Sequence, residues 1–193
     1  MGTERIRENV GIAQNRAEFR AWLEANAATE RECWVHVKRG RPTDAGTFYY
    51  LDAVEEALCF GWIDSTANSG EGGMRLQRFG PRKPGGNWTE LNKERVRRLE
   101  RLGLMTSAGR AVLPPMGPRS FRFDPQVVAD LKAARAWTAF RRLPALYQRV
   151  RANNLAFYRT RHPEPYLRML AHTVETAKQG KTFGEWNDYG RLG

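Results

Sequence analysis

The run RFGPRKPGGNWTELNKERVRR, Arg78 to Arg98, decides how the chain is read. It passes from an alternating stretch, through Pro, Gly and positive charge, into a helical repeat. At about 100° per residue, Trp88, Leu91, Val96, Leu99 and Leu102 share one helix side. Glu90, Lys93, Glu94, Arg97 and Arg101 fall opposite and are expected to be solvated. The Gly-rich entry offers backbone N–H groups and a partial positive charge for an anion. Arg82 and Lys83 add charge, Gly85 and Gly86 allow close approach, and Asn87 reads as an N-cap with Glu90 completing a capping box. The same residues read equally well as a plain strand-to-helix connector. They form neither a Walker sequence nor a GxGxxG.

Working outward, MRLQRF (Met74–Phe79) alternates as a strand. Upstream, CWVHV places Cys33, Val35 and Val37 on one face of a strand. YYLDAVEEALCF is a short helix stopped by Gly61, and WIDST is another strand. NRAEFRAWLEANAA predicts a helix capped by Asn15, and Thr106 caps a short helix after Leu102. PPMGPRSFRFDP breaks the pattern. Beyond it the chain reads as helical, with Asp124-Pro125 as cap and first-turn Pro, and a stop at Gly180. The expectation is an α+β protein: a small sheet with packed helices in residues 1–113, then a helical subdomain over 119–183.

With 41% apolar and 11% aromatic residues in 193, the chain can bury a core. No run reaches the roughly 18 apolar residues of a membrane span, and MGTERIRENV has no apolar signal core. Cys33 and Cys59, far apart in apolar settings, read as buried free thiols. These features fit a cytoplasmic protein. The net charge of +11 is concentrated: residues 75–110 hold 10 basic and 3 acidic side chains, and residues 119–161 hold 10 and 2. Such segments suit an anionic partner, nucleic acid included, or serve solubility.

Catalytic signatures are missing. There is no GxSxG elbow, no CxxC, and no metal-ligand spacing among His36, His162 and His172. Glu55 and Glu56 read as helix surface. Neither cofactor nor metal is expected, and the reading leans away from an enzyme. The unusual feature is that Asn92 and Arg95 project into the apolar stripe, where polar groups need partners or a cleft. Trp62, Asp64 and Thr66 share a strand face, and Arg78 shares one with Met74 and Leu76. An Asp64–Arg78 or Glu55–Arg95 ion pair is the structural reading; a ligand among these residues is the functional one.

VEEALCFGWIDS (Val54–Ser65) and RFGPRKPGGNWTELNKERVRRLERLGLMTSAGRA (Arg78–Ala111) resemble the YdeI/OmpD-associated family, also labelled bacteriocin-protection proteins. AFYRTRHPEPYLRMLAHTVETAKQGK resembles its C-terminal helix more weakly, with Arg161-His162 in place of a Lys-Arg start. Gly86 replaces the usual Ser of the loop. The resemblance implies protection against bacteriocins or other envelope stress and brings no reaction or cofactor. Its motif residues fall on Trp62, Asp64, Arg78, Pro81, Arg82, Lys83, Trp88, Asn92, Lys93 and Arg95.

The sequence therefore leads to a stress- or toxin-protection protein binding a small anionic molecule beside the loop 81–88. Asp64, Arg78, Arg82, Lys83, Asn87, Asn92 and Arg95 would line the site, with Trp62 and Trp88 as apolar walls. The alternatives are nucleic-acid binding through 75–110 and 119–161, and an enzyme that modifies or sequesters a toxic natural product.

Overall fold

The computed structural model describes residues 8–192. The elements run α1 (Arg16–Asn26), β1 (Cys33–Lys38), α2 (Tyr50–Cys59), β2 (Trp62–Ser69), β3 (Met74–Pro81), α3 (Glu90–Arg101) and α4 (Ser107–Ala111). They continue with α5 (Pro125–Ala133), α6 (Trp137–Phe140), α7 (Ala145–Arg161) and α8 (Pro163–Lys178). The fold is α+β, with a three-stranded antiparallel sheet in the order β1-β3-β2. Two compact units emerge. Unit 1 takes the residues up to Gly86 together with Arg95–Pro114; unit 2 takes Asn87–Glu94 and the residues from Pro115 on. The long helix α3 thus contributes its first turn to unit 2 and the rest to unit 1.

In unit 1 the helix starts follow local chemistry. The Asn15 side chain accepts from the Glu18 N–H, and the Thr106 hydroxyl accepts from the Gly109 N–H. Phe19 and Leu23, four residues apart on α1, are fully buried. Phe19 packs on Phe79 of β3 at 5.4 Å between ring centroids, and Trp22 packs edge-on against Trp62 at 5.8 Å. α4 approaches α2 so closely that a Cβ on Gly109 would lie 2.1 Å from the Cys59 carbonyl oxygen. Cys33 and Cys59 are buried free thiols.

One irregularity shapes the sheet. Asp64 pairs with Phe79 and Ala67 with Gln77, so Ser65 and Thr66 together oppose Arg78. This bulge leaves strand carbonyls without ladder partners. The fully buried Gln77 amide reaches the Ser65, Thr66 and Arg78 carbonyls, each at 3.2 Å. The expected shared face of Asp64 and Thr66 ends at this bulge, because the extra residue breaks the period of two.

Unit 2 is helical. Asp124 caps α5 through the Gln126 and Val127 N–H groups, with Pro125 in the first turn. Val127, Leu131, Phe140, Tyr147, Leu155 and Tyr166 form its core. Leu91 packs with Leu146, Val150 and Leu192. Arg151 is buried without a carboxylate partner among the described residues. It donates to the Phe183 carbonyl at 2.8 Å and lies 3.7 Å over that ring. Burial lowers its pKa, a cost that the carbonyl and the aromatic face offset.

Candidate functional site

Two charged clusters are built on opposite ends of α2. Near its C-terminal end, Glu55 and Glu56 are buried, although the sequence places them on a helix surface. Arg16 donates to Glu56 Oε1 at 2.6 Å and Glu55 Oε2 at 2.9 Å. Arg20 holds Glu56 Oε2 at 2.8 Å, and Arg98 holds Glu55 Oε1 at 2.9 Å. Every oxygen of this buried pair meets a guanidinium. Arg16 and Arg98 both pair with Glu55. A burial cost of several kcal/mol per ion makes such closure necessary. Cys59 lies beside this network. Burial first, then the Glu56 charge, pushes its thiol up to about 12, which removes it as a nucleophile near neutral pH.

At the other end of α2, Tyr50 donates its hydroxyl to Asp64 Oδ2 at 2.6 Å. The Arg39 guanidinium lies 3.4 Å over the Tyr50 ring and donates to Gln77 Oε1 at 3.0 Å. Gln77 thus supports both the bulge and this arginine. Burial, followed by the Asp64 charge, raises the Tyr50 pKa, while Arg39 and Arg95 oppose the shift. The phenol stays a donor. Arg82 and Arg95 are buried, at 7% and 8% exposure. For Arg82, burial outweighs the attraction of Asp64 and lowers its pKa to about 10. The Arg39, Arg82 and Arg95 guanidiniums stand around the Tyr50–Asp64 pair, next to the loop that begins at Pro81.

Of the residues singled out from sequence, Asp64, Arg82 and Arg95 meet in this cluster. Arg78 does not pair with Asp64. Asp64 lies opposite Phe79 and so shares its sheet face, which puts the neighbouring Arg78 on the other. Arg78 instead grips Glu32 through Nε at 2.8 Å and Nη2 at 2.5 Å. Trp62 is core rather than wall: it is 1% exposed and donates to the Ala27 carbonyl at 3.2 Å. Lys83 is exposed on the loop, where its carbonyl accepts from the Gly86 N–H at 3.0 Å. That bond closes a turn through Gly85 at φ +68°, so the loop spends one of its N–H groups on itself.

Asn87, Trp88 and Asn92 belong to unit 2. Asn87 is not the cap of α3. Thr89 takes that place, its Oγ1 accepting from the Asn92 N–H at 3.1 Å, while Asn153 Oδ1 accepts from the Glu90 N–H. Glu90 and Lys93, expected on the solvated side, are buried and paired at 2.8 Å. Tyr50 and Arg39 went unnoticed in the sequence. Tyr50 opens a helix whose apolar residues dominate its reading, and Arg39 sits in a loop-like KRGRP stretch without periodicity.

Much of the basic charge is committed internally. Arg110 forks onto Glu100, Arg149 bridges to Glu94 and Glu90, and Arg159 pairs with Asp124. Among the described residues no cluster of His, Cys, Asp and Glu could hold a metal ion, and no helix is long and apolar enough to cross a membrane. In comparisons with known proteins, the model of a family described as a domain of unknown function, DUF8412, matches residues 12–112. No curated protein and no solved structure matches.

Proposed function

The chain belongs to the DUF8412 family, and we propose that its unit 1 binds a small anion at the Tyr50–Asp64 cluster. The observation that carries this is Arg39: an exposed guanidinium 3.4 Å over the Tyr50 ring, beside the Tyr50–Asp64 pair and without a carboxylate partner among the described residues. An incoming carboxylate or phosphate would take the exposed Arg39 donors at the rim. The Tyr50 hydroxyl, held by Asp64, fixes the orientation of the cluster rather than serving as a nucleophile. The protective role implied by the resemblance to the YdeI/OmpD-associated family then amounts to sequestering a harmful anion. It rests on that resemblance.

Nucleic-acid binding is the weaker reading. Many arginines of segments 75–110 and 119–161 are buried or held by carboxylates, so less charge is free to displace counterions from phosphates. Modification of a natural product by the Tyr50 phenol or by Cys33 or Cys59 is disfavoured, since all three groups are held protonated.

Isothermal titration with inorganic phosphate, a monocarboxylate and a dicarboxylate tests the proposal. At least one should bind; Arg39→Met should weaken it about tenfold, the loss of one charge-assisted contact, and Tyr50→Phe should weaken it by releasing the Asp64 carboxylate that the hydroxyl holds. No binding at millimolar concentration, or unchanged affinity in both variants, refutes it.

A further inference from the structure

Unit 2 holds a cavity of about 410 Å³ that the proposal above does not use. Its aromatic lining is Trp88, Phe121 and Phe123, and α7 presents only Ala152 and Ala156 beside Asn153. Small side chains one helical turn apart leave a slot, and the rings give it apolar walls. The volume lies in the range of small-molecule sites.

The polar groups on this cavity are asymmetric. Both carboxylates that line it are charge-compensated, although Glu90 Oε2 accepts no hydrogen bond among the described residues. Glu90 Oε1 accepts from Lys93 at 2.8 Å and Oε2 lies 3.6 Å from Arg149 Nε. Asp124 Oδ1 caps α5, and Oδ2 accepts from Arg159 at 3.3 Å. Two donors also remain unspent. Asn153 uses Oδ1 for the Glu90 N–H, and its Nδ2 has no partner among the described residues. Arg122 is exposed at the same cavity and has no ion pair among them. Apolar flat walls with surplus donors suit a ligand that is planar and carries acceptors.

We propose that this cavity is a second ligand site, for a planar aromatic carboxylate. The ring lies against Trp88, Phe121 and Phe123 over the two alanines, and the carboxylate takes Asn153 Nδ2 and Arg122. The site is independent of the unit 1 cluster. It also gives Trp88 and Asn153 a shared purpose at the start of α3, where Asn153 both holds the helix entry and faces the ligand.

The test uses the full chain and three probes read by isothermal titration: benzoate, cyclohexanecarboxylate as a non-planar acid, and benzamide as a planar neutral. Benzoate should bind at least about tenfold tighter than either of the others. Asn153→Asp keeps the acceptor for the Glu90 N–H but removes the donor and adds repulsion. It should cost benzoate affinity about tenfold or more with the melting temperature unchanged or raised. Arg122→Met should weaken benzoate in the same direction, and Arg39→Met in unit 1 should leave it unchanged. The proposal is overturned if benzoate fails to bind at millimolar concentration, if the non-planar acid or the amide binds equally, or if Asn153→Asp and Arg122→Met have no effect. It is equally overturned if Arg39→Met alone abolishes binding, which would assign benzoate to unit 1.

Discussion

The two ends of α2 show opposite treatments of buried charge. At its C-terminal end, Glu55 and Glu56 have each oxygen matched by Arg16, Arg20 or Arg98. At its start, Tyr50 and Asp64 meet Arg39, Arg82 and Arg95, and Arg39 is exposed with no carboxylate partner among the described residues. A cluster whose charges cancel has reached its lowest energy without a guest and serves to hold the fold. One that has an exposed guanidinium without a carboxylate, as with Arg39, keeps donors for an anionic guest. Composition does not separate them, since both are arginines beside acids. The partners and exposure of the guanidiniums at each end do: Arg16 and Arg98 meet carboxylates, and Arg39 is exposed and meets none among the described residues.

The largest expected effect tests the closed cluster. Glu55→Gln removes a charge that Arg16 and Arg98 share and should destabilise the protein by about 3–5 kcal/mol in urea unfolding. A loss under about 1 kcal/mol would mean that the network is incidental and the contrast between the clusters is empty. Next is the support beneath the open cluster. Gln77→Leu leaves the buried carbonyls of the bulge without a donor and frees Arg39 from its acceptor, with an expected cost of about 2 kcal/mol. Anion affinity should fall as well, whereas Glu55→Gln should leave it intact in the folded protein.

The buried thiols give a pH dependence. Burial pushes Cys33, like Cys59, up to about 12. In the unfolded chain a thiol ionises near pH ~8.5. A group raised in the folded state contributes fully below its unfolded pKa and loses that contribution as pH rises toward the folded value. Stability should therefore fall above about pH 9, by roughly 1.4 kcal/mol per pH unit for each thiol. Unfolding midpoints measured from pH 7 to 10 check this, and Cys59→Ala should flatten the slope. The smallest effect on stability belongs to Arg39→Met. This residue is exposed and without a carboxylate partner among the described residues, so its melting temperature should shift by no more than about 2 °C. A larger shift would make the open cluster structural, like its counterpart.

Much of the fold was legible from local chemistry. Asn15, Thr106 and Asp124 cap helices as their side chains suggest, because a cap involves residues two or three positions away. The three strands lie where their alternation placed them, and β2 loses that alternation at the bulge between Asp64 and Ala67. The capping box at Asn87 was misread because Thr89, two residues on, competes for the same N–H groups and wins. Glu55 and Glu56 were misread for a different reason. Adjacent acids on a short helix look solvated until Arg16 and Arg20, some forty positions earlier, are folded onto them. Asp64 and Arg78 were assigned to each other across a strand pair, yet register puts them on opposite faces.

For the candidate site, the sequence by itself supplied the polar inventory: Asp64, Arg82 and Arg95 among the apolar residues around them, and the Gly-rich turn nearby. It also determined the α+β class, since periodicity and capping are properties of a few consecutive residues. Only the tertiary structure decided which arginine meets which acid. It buried Glu55 with Arg16 and Arg98, turned Arg78 to Glu32, brought Tyr50 and Arg39 to Asp64, and placed Trp88 with Phe121 and Phe123. Those pairings join residues tens of positions apart, where Coulomb attraction and burial cost depend on distance in space and not on spacing along the chain.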